Sequence, residues 1–416
     1  MKELCFDAVV IGGGAAGMAA ALELEAAGRS AAVVEREDSL GGILGQCVHS
    51  GFGLIEFDEE LTGPEFAERF EERMRGRPIS ALCGCTVLSI EAEGAEKVVT
   101  CASPAKGVSR LRAKAVVLAM GCRERNRGNI RIPGTRPAGV YTAGLAQRLV
   151  NIEGYVPGRE IVVIGSGDIG LIMARRMSWI GCKVHAVVEI LPYPSGLTRN
   201  IVQCLNDFGI PLYLSHLTTN IFGRRRVEGI EATPIENGGL VPEKAFRIPC
   251  DTVLLAVGLV PENELSREAG VSLNPMTNGP WVDSYLMTSV PGVFACGNVL
   301  HVHDLADYVV EESRRAGRFA AAWLGGARPE RELRVKAGSN VRYVAPSRVE
   351  PGRDNKLYLR TMIVKNDAVL EVKLDGKVLR STKRNHVQPS EMISISLGMT
   401  ELEFAGPDAV VEISIL

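Results

Sequence analysis

The sequence predicts an α/β fold in which one strand–turn–helix unit occurs twice, followed by a small, mostly-β C-terminal domain. Two glycine-rich turns carry the prediction, because each lies between an apolar strand and an alanine- or leucine-rich helix. After about residue 330 the pattern changes to short segments of alternating apolar and polar residues, separated by Asp-Gly and Gly-Pro turns, which is typical of antiparallel strands.

The first unit covers residues 6–28, FDAVVIGGGAAGMAAALELEAAG. Gly12 permits a tight turn, Gly14 lets backbone N–H groups approach a pyrophosphate, and Gly17 lets the helix lie close to the strand. The start of the helix adds partial positive charge for phosphates. The next strand ends at Glu35, which can accept hydrogen bonds from a ribose diol. Strand, helix and distal acid together predict a dinucleotide site of the Rossmann type.

The same unit recurs in REIVVIGSGDIGLIMARRMSWIGCKVHAVVEI, with Gly165, Gly167 and Gly170 in the turn and Glu189 at the end of the following strand. An acidic residue there suits a free ribose 2′-hydroxyl and repels a 2′-phosphate. No arginine follows within residues 190–194 to bind that phosphate. We therefore expect NAD(H) rather than NADP(H) at the second unit.

Three further segments, KAVVLAMGCRERNR, DTVLLAVGLVPENEL and TSVPGVFACGNV, each read as an apolar strand that ends in a small-residue turn. With the two glycine turns they resemble the two-dinucleotide-binding flavoproteins, the pyridine nucleotide-disulfide oxidoreductase-like superfamily, over residues 1 to about 330. The resemblance implies FAD at the first unit and NAD(H) at the second. The family commonly has Asp where this chain has Asn298, and an amide can still bond a ribityl hydroxyl. The predicted cofactor-binding residues are Gly12, Gly14, Ala15, Ala16, Gly17, Glu35, Arg36, Gly42, Ala119, Gly121, Gly165, Gly167, Asp168, Ile169, Gly170, Glu189, Gly258, Gly297, Asn298 and Asp307.

Within that superfamily, GGILGQCVHSGFG and GNVLHVHDLADYV are similar to clostridial-type FAD/NAD oxidoreductases that accompany an anaerobic glycerol-3-phosphate dehydrogenase-like flavoprotein and a small cysteine-rich protein. They also resemble the dinucleotide-binding subunits of sarcosine-oxidase-like and cyanide-synthase-like enzymes. The resemblance implies electron exchange between NAD(H) and a partner, either a second flavoprotein or an iron–sulfur subunit, in an oligomer or hetero-complex. A stand-alone NADH reductase of oxygen, a quinone-like molecule or a small redox protein is the alternative.

The domain boundaries follow from these segments. The FAD domain is expected to be discontinuous, covering 1–155 and 266–330, and the NAD(H) domain is expected at 156–265. Residues 331–416 form the β-rich domain, which contains no catalytic constellation. We interpret it as an interaction or dimer-contact module, with a simple structural cap as the alternative.

The residues from which chemistry is expected are few, because hydride transfer needs cofactor positioning more than side-chain catalysis. Cys47 has no nearby partner cysteine, which disfavours a self-contained disulfide relay, and with His49 it could line a route to a second acceptor or be structural. His301 and His303 could tune or protonate the flavin, or be structural. No third ligand is evident for them, and we expect no metal. Asp304 is a plausible N-cap of the following helix.

The composition narrows the classes of function that remain for this chain. The net charge of −2 gives no general attraction to nucleic acid. The ten cysteines include no C-x-x-C pair, so any iron–sulfur cluster must come from another polypeptide. No stretch is apolar enough for a membrane helix, and the N-terminus lacks the regions of a signal peptide, so we expect a cytoplasmic protein.

Overall fold

The computed structural model describes residues 2–416. It contains two compact units: the chain up to Cys122 together with Pro261–Leu416, and Arg123–Val260. Residues 123–155 thus fall in the second unit, since the strand Val140–Thr142 pairs with Thr252–Leu255 in the sheet of that unit. The β-rich C-terminal residues fall in the first unit.

The α-helices of the described residues begin and end as follows: α1 Ala15–Ala26, α2 Gly63–Met74, α3 Arg127–Ile130, α4 Ala143–Asn151, α5 Asp168–Trp179, α6 Thr198–Cys204, α7 Glu264–Glu268 and α8 Ala306–Leu324. None of the helices in residues 2–416 is both long and apolar enough to cross a membrane.

The first unit is built on a seven-stranded sheet. Its strand order is Ile79–Leu82, Ala31–Val34, Lys2–Ile11, Gly107–Leu118, Glu96–Ser103 and Thr86–Glu93, and Val293–Ala295 pairs with the last three residues of Gly107–Leu118. The four strands from Ile79–Leu82 to Gly107–Leu118 run parallel, and Val293–Ala295 is parallel to its neighbour. Short antiparallel strands, Ser50–Phe52 and Leu61–Thr62, follow the first glycine turn.

Helices α1 and α8 cross closely over this sheet, because a glycine lies at the crossing. A Cβ at Gly317 of α8 would lie 2.5 Å from the Ala20 carbonyl oxygen of α1. The contact fixes the start of α1, which holds the glycine turn, relative to the strand that precedes α8. Phe66, Phe70 and Phe294 fill the core of the unit.

The second unit has a parallel sheet in the order Val140–Thr142, Thr252–Leu255, Glu160–Ile164, Lys183–Val188 and Leu212–Tyr213. Helices α4, α5 and α6 pack on one face. An antiparallel sheet of His216–Gly223, Val227–Glu236, Gly239–Leu240 and Phe246–Ile248 packs on the other. The chain passes between the units in two short strands, Cys122–Glu124 and Leu259–Pro261.

The C-terminal residues form two sheets around a core of their own. The larger has the order Arg348–Val349, Leu333–Ala337, Val410–Ile415, Lys365–Leu374 and Lys377–Val387, and the smaller has the order Val341–Ala345, Asn355–Thr361 and Ile393–Leu397. The strand alternation predicted from the sequence is confirmed in these elements. We call this part the C-terminal sandwich.

Candidate functional site: two glycine turns and a buried histidine cluster

The first glycine turn is formed where side chains have no room. Gly12 has a φ of +106°, and a Cβ there would lie 2.4 Å from the carbonyl oxygen of Ala119. A Cβ at Gly17 would lie 1.8 Å from the carbonyl oxygen of Gly12. Only glycine therefore lets α1 start directly against the end of the parallel sheet.

The acidic residue after the second strand reaches the same turn. Glu35 is 6% exposed, and its carboxylate accepts hydrogen bonds from the backbone N–H groups of Gly13 at 2.7 Å and Glu37 at 2.9 Å. These bonds hold the carboxylate beside the glycines, where a ribose would lie. The adjacent Arg36 points into solvent.

Other predicted residues of this site converge on the start of α1. Gly14 precedes α1 without any side-chain cap, so N–H groups in the first turn remain for a phosphate. A Cβ at Gly42 would lie 3.2 Å from the Gly14 Cα, and one at Gly297 would lie 3.0 Å from the Ala16 Cβ. The neighbouring Ala15 is also small and buried. These glycines and small residues form a cradle at the start of α1, and the space that they leave fits a dinucleotide.

The turn at the end of the Val293–Ala295 strand is held from several sides. Gly297, with a φ of +68°, donates its N–H to Glu312 at 2.7 Å. The side-chain oxygen of Asn298 accepts the N–H of His303 at 2.9 Å, and the Asn298 amide nitrogen lies 3.6 Å from the Cys122 sulfur. Gly121 has a φ of +73°, and nothing lies within 4 Å of a Cβ placed there.

The second unit repeats the design. Gly165 has a φ of +92°, and a Cβ there would lie 2.2 Å from the carbonyl oxygen of Ala256. A Cβ at Gly170 would lie 2.6 Å from the Ala256 Cβ. Gly167 precedes α5 without a side-chain cap. Sequence reasoning missed Ala256, although it occupies the place that Ala119 has in the first unit.

Glu189 is held more tightly than Glu35. One carboxylate oxygen accepts the N–H and hydroxyl of Ser166, at 2.9 and 2.6 Å, and the hydroxyl of Ser195 at 3.0 Å. The other oxygen accepts the N–H of Leu191 at 3.0 Å. Sequence reasoning did not identify the two serines, which fix the acid at the turn.

Asp168 and Ile169 lie in the first turn of α5. Asp168 binds the loop that follows Glu189, since it accepts the Leu197 N–H at 2.8 Å and the Asn200 amide at 2.6 Å. Gly258 has a φ of +99° at the end of the neighbouring strand. The predicted residues of the second site thus lie together at one edge of the parallel sheet.

Two acids at the start of α8 connect segments of the first unit. Asp307 is buried and accepts backbone N–H groups of Gly53, Ile55 and Glu56 at 2.9–3.3 Å. The expected N-cap role of Asp304 is wrong: α8 begins at Ala306, after Leu305, and has no side-chain cap. Asp304 instead pairs with Arg360 of the C-terminal sandwich.

Cys47 and His49 differ in environment. The Cys47 thiol is buried and donates to the Ile43 carbonyl oxygen at 3.3 Å. Burial raises the pKa of Cys47 to about 12, so the thiol stays protonated near neutral pH. His49 is half-buried, and its Nδ1 lies 3.0 Å from the Ser50 carbonyl oxygen.

His301 and His303 meet a residue that sequence reasoning missed. Both side chains are fully buried against Glu312 of α8, which is fully buried as well. The Nε2 of His301 lies 2.7 Å from Glu312 Oε2, and the Nε2 of His303 lies 3.3 Å from Oε1. Burial, with His301 beside it, lowers the pKa of His303 to about 4. Glu312 was overlooked because charged residues flank it on an amphipathic helix, although Ala316 one turn later is buried.

The C-terminal sandwich covers this histidine cluster. The Tyr343 hydroxyl lies 3.4 Å from His301 Nδ1, and the Tyr358 ring centroid lies 5.1 Å from that of His303. Burial raises the pKa of Tyr343 to about 12, so its hydroxyl is protonated at neutral pH. The cluster is therefore an interior feature shared by α8 and the sandwich.

Two Rossmann-type glycine turns, each with its acid in place, define a protein with two dinucleotide-binding sites. The profile of the pyridine nucleotide-disulphide oxidoreductase family matches residues 6–320, and the chain belongs to this family. The family uses FAD and NAD(P)H, and the chain is accordingly a flavin-dependent oxidoreductase. The turn of the first unit is the predicted FAD cradle, and a flavin bound there would supply the chemistry of accepting and giving hydride.

The chain is similar to several named proteins. It is 27% identical over 319 residues to a subunit of opine oxidase from Agrobacterium tumefaciens, a match that covers 70% of this chain and 61% of that protein. It is 29% identical over 353 residues to the glutamate synthase [NADPH] small chain of Mycobacterium tuberculosis, covering 76% and 67%. Among solved structures, thioredoxin reductase of T. acidophilum has a TM-score of 0.64 at 25% identity, covering 76% of this chain and 98% of that chain.

Proposed function

We propose that the chain is the NADH-binding flavoprotein subunit of a dehydrogenase complex, which exchanges electrons with a partner protein by hydride transfer through FAD. The state of the cysteines carries the proposal. Every cysteine of the described residues is a free thiol. The thiols of Cys85 and Cys101 are neighbours of each other, but both residues are buried. The pKa of Cys101 is raised to about 12, mainly by burial. A dithiol relay to a soluble disulfide would need an accessible, readily ionised pair.

The segment after the first glycine turn supplies a surface for such a partner. Gly41 bridges to Gly14 of the turn, and the following segment exposes Ile43 at 63% and Ile55 at 62%. Val48 and Leu54 are exposed in the same segment. We call these four residues the exit surface. Exposed apolar side chains beside a cofactor site are typical of protein–protein contacts.

The similar proteins support a complex. Both the glutamate synthase small chain and the opine oxidase subunit belong by name to larger enzymes. The expected partner is a second flavoprotein or a cysteine-rich iron–sulfur protein, as the resemblance to the clostridial and sarcosine-oxidase-like groups implies. The match covers 61% of the opine oxidase subunit. We therefore do not infer that this chain acts on the substrate of that enzyme.

NADH is the proposed nicotinamide substrate. The buried carboxylate of Glu189 is fixed by Ser166 and Ser195 at the second glycine turn, where a 2′-phosphate would meet its negative charge. A higher kcat/KM with NADPH than with NADH would refute this part of the proposal.

The test starts with isolation of the native protein and identification of the proteins that accompany it. NADH is then added anaerobically, and reduction of the FAD is followed by its absorbance. We expect reduction by NADH and transfer onward only when the co-purifying partner is present. Ile55→Asp should slow that transfer and leave FAD reduction unchanged. Leu88→Asp is the matched control, because Leu88 is 50% exposed on a strand outside the exit surface.

A stand-alone NADH:acceptor reductase is the second candidate. It is favoured by the match to thioredoxin reductase of T. acidophilum, nearly all of which this chain covers. An isolated chain that reduces oxygen, a quinone or a small redox protein at the rate of the native preparation, with no effect of Ile55→Asp, would establish this candidate instead.

A further inference from the structure

The starting observation is a set of donor atoms that the fold brings together inside the first unit. One ligand atom from each of His301, His303 and Glu312 lies within 4.8 Å of the other two, and all three side chains are fully buried. The histidines come from the loop after the Gly297 turn, whereas Glu312 comes from the second turn of α8. The sequence motif His-x-His lacked a third ligand, and Glu312 supplies it.

A carboxylate at this depth needs a compensating positive charge, because an isolated buried anion is strongly destabilising. The guanidinium of Arg360 is engaged by Asp304, and the two groups that contact Glu312 from the loop are imidazoles. The compensating charge is therefore either a protonated imidazole or a bound cation. Two imidazoles and one carboxylate are ligands that zinc prefers, and three protein ligands are the number found when a further ligand completes its coordination.

The hydrogen bonds around the rings favour the cation. The Nδ1 of His303 is buried and has no hydrogen-bond partner. In a hydrogen-bonded relay both nitrogens of a buried imidazole are expected to be used, since an unpaired polar atom costs free energy. His303 thus keeps one nitrogen whose hydrogen-bonding capacity is unused by the described residues.

The surroundings resemble the outer shell of a metal site. His301 has the Tyr343 hydroxyl 3.4 Å from its Nδ1, and Glu312 accepts the Gly297 N–H at 2.7 Å. Groups of this kind orient metal-binding histidines and carboxylates. They also link the cluster to the C-terminal sandwich on one side and to the Gly297–Asn298 turn on the other.

We propose that His301, His303 and Glu312 bind one divalent transition-metal ion, zinc(II) by its donor set. The ion fixes the loop between the Gly297–Asn298 turn and α8, and so holds a part of the predicted FAD cradle. Zinc(II) does not change its oxidation state, and it takes no part in the electron exchange. This inference does not depend on the identity of the electron partner.

The metal content of the purified protein tests the proposal. Wild-type protein, exchanged into metal-free buffer and then given zinc sulfate, should retain about one zinc per chain after gel filtration. Removal of the metal with a chelator should lower the Tm, and zinc alone should restore it. Cobalt(II) in place of zinc should give the visible absorption of a site with nitrogen and oxygen ligands.

Variants locate the ion. Glu312→Gln removes the charge at constant size, and His303→Asn replaces the imidazole by an amide; each should retain less than a tenth of the wild-type zinc. The matched control is His386→Asn, because His386 is an exposed histidine bonded to Asn366. It should retain zinc as the wild type does. Far-UV circular dichroism shows that each variant is folded.

Two results would overturn the proposal. Wild-type protein that binds neither zinc nor cobalt(II), with a Tm insensitive to both, would show that Glu312 is compensated by a protonated histidine. Equal zinc retention in wild type and His303→Asn would place the metal elsewhere. If Glu312→Gln does not fold, the wild-type titration and His303→Asn decide the question between them.

Discussion

Replacement of Gly165 by alanine tests whether the glycine turn of the second unit holds the nicotinamide cofactor. Two costs follow from the structure. Alanine at a φ of +92° costs about 1–2 kcal/mol. Its Cβ would lie 2.2 Å from the Ala256 carbonyl oxygen, and relieving such an overpacked contact costs about 1–3 kcal/mol more. The turn must move away from Ala256, which displaces the N–H groups at the start of α5.

Gly181→Ala is the matched control. Gly181 has a φ of +84° in the same unit, and nothing lies within 4 Å of a Cβ placed there. It therefore carries the backbone cost without the steric one. The steric cost weakens NADH binding if it destabilises the NADH complex and not the free protein. In that case Gly165→Ala should weaken NADH binding about 5- to 150-fold more than the control does.

The assay is the anaerobic reduction of bound FAD at increasing NADH concentration, followed by stopped-flow absorbance. FAD content should match the wild type in both variants, because the predicted FAD cradle lies in the first unit. Urea unfolding reports the loss of stability separately. Equal NADH dependence in Gly165→Ala and Gly181→Ala would refute the assignment of this turn to the nicotinamide nucleotide.

Three further predictions follow. Cys47→Ala should change electron transfer to the acceptor by less than about twofold at neutral pH, since the buried thiol is protonated; a tenfold loss would restore a role for it. Glu189→Gln keeps an acceptor for Ser166 but loses the negative charge, so the ratio of kcat/KM for NADH to that for NADPH should fall. Burial raises the pKa of Asp283 from 3.8 to about 6. The protonated carboxyl therefore contributes to stability at low pH, and this contribution is lost as pH rises through about 6. Asp283→Asn should then be more stable than wild type at pH 7, by up to about 3 kcal/mol, and lose this advantage below pH 4; urea unfolding at both pH values measures it.

Local patterns predicted the two glycine turns because their chemistry is contained in short stretches of sequence. Gly12 and Gly17 are required by contacts with the same turn or the adjacent strand end, so their spacing alone carries the information. Glu35 follows from the next strand in a parallel sheet. The alternating strands of residues 331–416 were predictable for the same reason, since each strand shows its own buried face.

Contacts between distant segments could not be predicted in this way. The partner of Asp304 is Arg360, on a strand of the C-terminal sandwich, so a local helix cap was the simpler expectation and was wrong. Glu312 lies in a run of charged residues, and only the position of the sandwich shows that it is buried. A charged residue reveals nothing about its burial without the surface that covers it.

The same contacts bear on what the C-terminal sandwich does. An interaction module and a structural cap were the two interpretations of residues 331–416. Arg360 pairs with Asp304, Tyr343 meets His301, and Tyr358 packs against His303, so the sandwich covers polar groups that would otherwise be open to water. Removing it would expose the histidine cluster and release the loop that leads from the Gly297 turn to α8. These contacts support the cap role, and any partner that binds the sandwich acts on a part of the molecule already joined to the predicted FAD cradle.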